Sequence, residues 1–210
     1  MDFFAQSASD AYLELDSRPE EIGEYLLVKD MSDKRHSVYF NPVERKAHLA
    51  IRGTSTKGDI DSLGNIGTDI ALMFGHGDRT LRMAEADKKM NQIKIAFNLK
   101  NKPESITASG HSLGGFITAE LVGRHNVEGH AYNPGSTFRD TYKNIACRFS
   151  FSEQCRNRRN NLVVHTVQGD PLSMGFHHSD GMGFKQHKKY KSKYPGMLGA
   201  HKMENFDIKD

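Results

Sequence analysis

Two cysteines in 210 residues are too few for a disulfide framework. Cys147 and Cys155 stand close enough for a local bridge in oxidising surroundings. Two free thiols in a cytosolic chain is the plainer expectation. C-x-x-C and H-x-x-x-H spacings are absent, and the His177-His178 pair alone makes no ligand set. Neither a metal nor a cofactor is expected. No apolar run approaches the roughly 18 residues of a spanning helix. The start, Met-Asp-Phe-Phe-Ala-Gln-Ser, lacks the basic and apolar regions of a signal peptide. A cytoplasmic or otherwise soluble chain, with room for peripheral membrane contact, is the resulting expectation. No internal repeat is visible. Hydrophobic residues make up 37% of the chain and mean hydropathy is −0.64, polar but not a disordered composition. The length suits one substantial core, so residues 1–210 are expected to form a single domain.

What the chain does carry is Gly110-His111-Ser112-Leu113-Gly114, a G-x-S-x-G run. Ser105–Ser109 before it reads as a short buried strand, and Gly115–Arg124 after it has helical spacing. A serine on a sharp strand-to-helix turn is a nucleophile elbow, and the flanking glycines leave room where strand and helix nearly touch. Ser112 is therefore the candidate nucleophile. In this arrangement the acid and then the base follow the serine in the chain.

Leu162–Val167 is the best β-run after Ser112, rich in β-branched residues, and it leads into Gln168-Gly169-Asp170-Pro171. Asp170 is the candidate acid, with Asp180 the alternative. Four histidines follow Asp170. His187 lies among lysines that disfavour an imidazolium. His177 and His178 lie in a Gly/Ser-rich loop within reach of the acid. His201 opens the last apolar-patterned segment, His201–Ile208, where a base is better fixed, and it is preferred. His111, beside the serine, is expected to project to the other side of the elbow and not to serve as base.

An oxyanion needs two donors. The N–H of Leu113 follows the nucleophile directly. The strand Ala47–Ile51 enters the polar loop Arg52-Gly53-Thr54, where Thr54 offers an N–H and a hydroxyl.

Together these residues resemble the class 3 lipases, the group that includes the small fungal triacylglycerol lipases. The motifs occur in order: the apolar strand with Arg-Gly-Thr (49–54), Gly-His-Ser-Leu-Gly-Gly (110–115), Val-x-Gly-Asp-Pro (167–171) and His-x-x-x-Asn-Phe (201–206). Ala-Tyr-Asn-Pro-Gly (131–135) and the entry Asp10-Ala11-Tyr12 are also similar, so the resemblance covers nearly the whole chain. It implies an α/β-hydrolase fold and a lipid or small-ester substrate. It further implies Ser112, Asp170 and His201 as triad, and Thr54 with Leu113 as oxyanion hole. The segments departing from the family are 136–160 and the lid region. A lid would fall on Lys57–Asp78, with hinges at Gly64, Gly67, Gly75 and Gly77. A core segment flanked by loops is the alternative, and the tryptophan common in fungal relatives is missing.

A helix is expected over Phe3–Leu15, then strands near Glu24–Lys29, Ser37–Asn41 and Ala47–Arg52. A longer helix, Thr80–Leu99, should bury Leu81, Ala84, Met90, Ile93 and Phe97. Strands near Val127–Tyr132 and Leu162–Val167 follow. This alternation argues for an α/β chain with a mostly parallel central sheet and helices on both faces, its tail 171–210 wrapping over the site to deliver His201.

Cations outnumber acids in 136–210, whereas acids lead in 1–135. Arg156–Arg159 and Lys185–Lys193 read either as a solvated basic face or as a surface for anionic lipid headgroups, which would favour phospholipids. The activity these readings support is hydrolysis of lipid carboxylic esters through an acyl-enzyme. The same triad suits a peptidase, an amidase or an acyltransferase. A non-catalytic basic module gripping nucleic acid is a further alternative, and no nucleic-acid partner is expected.

Overall fold

The computed structural model describes residues 2–54, 76–99, 103–177 and 183–206. The proposed lid falls outside them except for its last three residues, and so do Asp180 and His178.

Helix α1, Phe3–Asp10, starts where the Asp2 carboxylate accepts the Ala5 N–H at 2.8 Å. Such a cap contributes about 1 kcal/mol. The helix is shorter than expected and gives way to a 3-10 turn at Leu15–Ser17. Strands β1 (Glu21–Ile22), β2 (Tyr25–Leu27), β3 (His36–Asn41) and β4 (Lys46–Ile51) form an antiparallel meander. Helix α2, His76–Ala96, returns the chain to β5 (Ile106–His111). Then come α3 (Leu113–His125), β6 (Glu128–Tyr132), α4 (Phe138–Phe149), α5 (Glu153–Asn161), β7 (Leu162–Val167), α6 (Met174–His177), β8 (Gln186–Tyr190) and α7 (Gly196–His201). The eight strands lie in chain order in one sheet, and every pairing from β4 to β8 is parallel.

Strand alternation sorts the sheet into two unlike faces. One is aliphatic: Ala47, Leu49, Ile51, Ile106, Ala108, Ala131, Leu162 and Val164 meet α2 and α3 in the main core. The buried stripe of α2 is Met83, Ala86, Met90 and Ile93; Leu81 and Ala84, expected inside, are exposed. The stripe therefore begins two residues later than expected, rotating Leu81 to solvent.

The other face is polar and aromatic. His48, Thr107, Ser109, His130, Tyr132 and His165 lie beneath α1 and the C-terminal segment. Their polar atoms satisfy one another: His48 bridges Thr107 (2.8 Å) to Ser7 and Ser109 (2.9 and 3.0 Å), and His165 joins His130 (3.1 Å) to the Tyr190 hydroxyl (2.9 Å). Phe4 stacks on His130 with ring centroids 4.0 Å apart.

Three features of the second half differ from the sequence reading. Segment 136–160 folds as α4 and α5, with a capping box at Thr137 and Asp140 and a serine cap at Ser152. Cys147 and Cys155 are not free thiols: they form a disulfide with Cα atoms 5.1 Å apart, tying α4 to α5. Part of the lysine-rich run is β8, an edge strand whose exposed lysines discourage pairing with other chains.

Burial pushes the imidazoles of His48 and His130 down to about 3 and about 4, and His165 well below its ordinary range. All three stay neutral in the folded chain while an unfolded histidine gains its proton near 6.5. The unfolded state therefore binds more protons below pH 6.5, and stability falls as pH drops from there toward 4. Between pH 6.5 and 5 each such histidine contributes a slope of up to about 1.4 kcal/mol per pH unit. Urea unfolding across this range should show the loss; a flat profile from pH 7 to 5 would contradict it.

Candidate active site

Parallel strands bring their carboxyl ends to one edge of the sheet, and ligands of open α/β sheets bind there. Register places Ile51 opposite Gly110, and His111 opposite Tyr132. The loop after β4 and the turn after β5 are thus neighbours.

Ser112 occupies that turn with φ 57° and ψ −124°, a conformation sparsely populated by non-glycine residues. The surroundings hold it there. Its N–H donates to Tyr132 O (3.0 Å), and its carbonyl accepts from Phe116 N (3.0 Å) and Gly135 N (2.9 Å). The glycines are dictated by clearance. A Cβ on Gly114 would fall 2.1 Å from Ile51 O, and one on Gly110 would fall 2.5 Å from the Gly114 main chain. Leu113 opens α3, so its N–H is among the first amides of a helix, which have no intrahelical acceptor. The macrodipole adds positive potential at that end.

Thr54 ends the described part of the loop after β4. Its hydroxyl is buried and has no hydrogen-bond partner among the described residues. Gly53 presses against the elbow: a Cβ there would lie 3.2 Å from Ser112 Cβ. The Arg82 guanidinium, from α2, hydrogen-bonds to Arg52 O and holds the loop from outside.

Asp170 follows β7 with its side chain fully buried. One carboxylate oxygen accepts Leu172 N–H at 3.0 Å and the other meets His201 Nδ1 at 3.0 Å. A carboxylate can only accept, so Nδ1 carries the hydrogen and Nε2 is left as the basic nitrogen. His201 Nε2 is itself buried with no partner among the described residues. His201 ends α7, whose main chain is tied down on several sides. Asn133 donates to Ala200 O (3.0 Å) and accepts from Val167 N (2.8 Å). Asn205 donates to Gly199 O (2.8 Å) and accepts from Lys193 N (2.8 Å).

His111 departs from expectation. Alternation along β5 turns it to the polar face, where the C-terminal segment also wraps. Its ring packs on His201 with centroids 4.7 Å apart, and its Nε2 lies 2.7 Å from His201 O. The structure therefore brings Asp170 and His201 together beside the residue that precedes Ser112. Thr54 and Leu113 flank the same turn. Of the alternatives, His187 bonds to Thr166 within the sheet at 2.8 Å, and His177 ends α6. Tyr12, His111, Asn133 and Asn205 are supporting residues, present in the sequence motifs but given no supporting role by sequence reasoning. At Asn133 the backbone also carries a signal, since asparagine tolerates the left-handed conformation (φ 38°) that the strand end requires.

The architecture is similar to that of MDLA from Penicillium cyclopium, solved in a mutant form. The TM-score is 0.51 at 16% identity, over 92% of this chain and 79% of that one. Looser matches are Lip2 lipase from Yarrowia lipolytica (TM-score 0.48, 14% identity, 91% and 79% covered) and a triacylglycerol lipase from Penicillium expansum (0.43, 12%, 94% and 80%). No family model and no curated protein sequence matches the chain. The chain has the α/β-hydrolase fold.

Gly114→Ala should force the elbow away from Ile51 O and cost about 1–3 kcal/mol, as overpacking does. Thermal unfolding measures the cost, and an unchanged melting temperature would show the approach to be looser than described.

Proposed function

We propose that the chain is a serine hydrolase of lipid carboxylic esters, working as one domain over residues 1–210. The observation that carries this reading is the His201 imidazole: bonded through Nδ1 to a buried carboxylate, unpartnered at Nε2 among the described residues, and packed against the elbow that presents Ser112. In the mechanism, His201 Nε2 removes the Ser112 proton as Oγ attacks the ester carbonyl, and Asp170 stabilises the resulting imidazolium. The amide of Leu113 and the donors of Thr54 bind the oxyanion. The alcohol leaves with the proton held by His201, and water repeats the sequence on the acyl-enzyme.

For substrate class, we favour esters presented at an anionic surface. β8 runs parallel to β7, so its carboxyl end lies at the site's edge of the sheet. There Lys188, Lys189, Lys191 and Lys193 are exposed, and the Lys193 main chain is bonded to Asn205 of the base segment. Among the described residues no helix is long and apolar enough to cross a membrane, so contact would be peripheral. The Cys147–Cys155 bridge suits an oxidising compartment better than the cytoplasm.

Ser112→Ala should abolish hydrolysis of p-nitrophenyl esters while leaving the fold intact. Thr54→Val should lower kcat by about two to three orders of magnitude, the range for one lost oxyanion donor. Retained turnover in Ser112→Ala, or faster cleavage of peptide anilides than of esters, would contradict the assignment. On phospholipid vesicles, the rate should rise with phosphatidylserine content and fall with added salt. Indifference to both would remove the anionic-surface preference.

A further inference from the structure

The base segment needs an anchor at residue 201 itself. Asn133 and Asn205 hold Ala200 and Gly199, but neither reaches the His201 carbonyl; His111 does. A carbonyl only accepts, so His111 Nε2 must carry the ring hydrogen, and Nδ1 is then a lone pair. The partner of Nδ1, the Tyr12 hydroxyl at 2.9 Å, must be the donor. On its other side the phenol oxygen lies against the Gly53 main chain, where a Cβ would fall 2.1 Å from it. The direction of both bonds is thus fixed: Tyr12 O–H to His111 Nδ1, and His111 Nε2–H to His201 O.

We propose that Tyr12 and His111 are positioning residues, forming one hydrogen-bonded chain that sets the oxyanion loop and the base segment in register on either side of Ser112. The proposal rests on the assignment of Ser112 and His201 made above. The chain is stiff because it stays neutral throughout. Burial pushes the His111 imidazole down to about 3 and the Tyr12 phenol above its ordinary range. Its first member comes from the segment after α1, remote in sequence from both loops. Without the Tyr12 hydroxyl, His111 Nδ1 becomes a buried acceptor with its donor removed, and the ring loses the bond that holds it in place. The ring then shifts to find another donor, which loosens its bond to the His201 carbonyl and displaces the base. A displacement of about 1 Å is enough to cost a hundredfold in rate.

The test uses the full chain hydrolysing p-nitrophenyl butyrate. Tyr12→Phe keeps the ring and removes one oxygen. The expected result is a kcat lower by about ten- to a hundredfold, an unchanged KM, and unfolding close to that of the parent. Ring 15N NMR should find His111 as the Nε2–H tautomer in the parent, with the Nδ1 resonance shifted in Tyr12→Phe, where that nitrogen has lost its donor. A second pair guards against misfolding: His111→Gln, which retains an N–H, should keep more kcat than His111→Leu, which does not. Parental kcat in Tyr12→Phe, or equal kcat in the two His111 variants, would overturn the proposal and leave the hydrolase assignment standing. A parent chain that hydrolyses no ester would overturn both.

Discussion

The tight approach of two backbones at the end of β5 is the constraint on which the rest of the structure depends. Strand must become helix within one residue, and that residue adopts a positive φ. Glycine at 110 and 114 makes the approach sterically possible, and three hydrogen bonds, from α3 and from the end of β6, keep Ser112 in a conformation it would not choose alone. Strain of this kind costs about 1–3 kcal/mol. Here it is offset by the aliphatic core of α3, whose Leu113, Ile117, Leu121 and Val122 are wholly buried.

A second design element is the difference between the two sheet faces. The aliphatic face needs only volume matching, which α2 and α3 supply. The polar face has to satisfy buried imidazoles and hydroxyls, and it does so through the network linking Ser7, His48, Thr107 and Ser109 and the chain from His130 through His165 to Tyr190. Such a polar network is geometrically demanding, and α1 and the C-terminal segment both dock on it. His201, the proposed base, is therefore carried by that face. The expected acid sensitivity is the corresponding cost.

Much of this was legible in the sequence. The G-x-S-x-G run, the β-run Leu162–Val167 and the Asp170 turn each combine a local backbone signal with a chemical one, and the structure places the strand at those residues. The parallel sheet followed from alternation alone. β8 was missed because Gln-His-Lys-Lys-Tyr has the composition of a solvated run; it is a strand only because Thr166 and Val167 offer it an edge. α4 and α5 were missed because their polar sequence hides the packing around Arg158, Glu120 and Asn144. His111 was misplaced because the face it joins is defined by the C-terminal segment, which lies ninety residues away. Tertiary partners, not local propensity, decide such cases.

The central claim is that Ser112 is a nucleophile activated by His201. The direct measurement is to treat the chain with a fluorophosphonate and map the adduct by peptide mass spectrometry. The account predicts one adduct, on Ser112, that forms far more slowly in His201→Ala. An unmodified Ser112 in a chain that still hydrolyses esters, or equal labelling in His201→Ala, would contradict it.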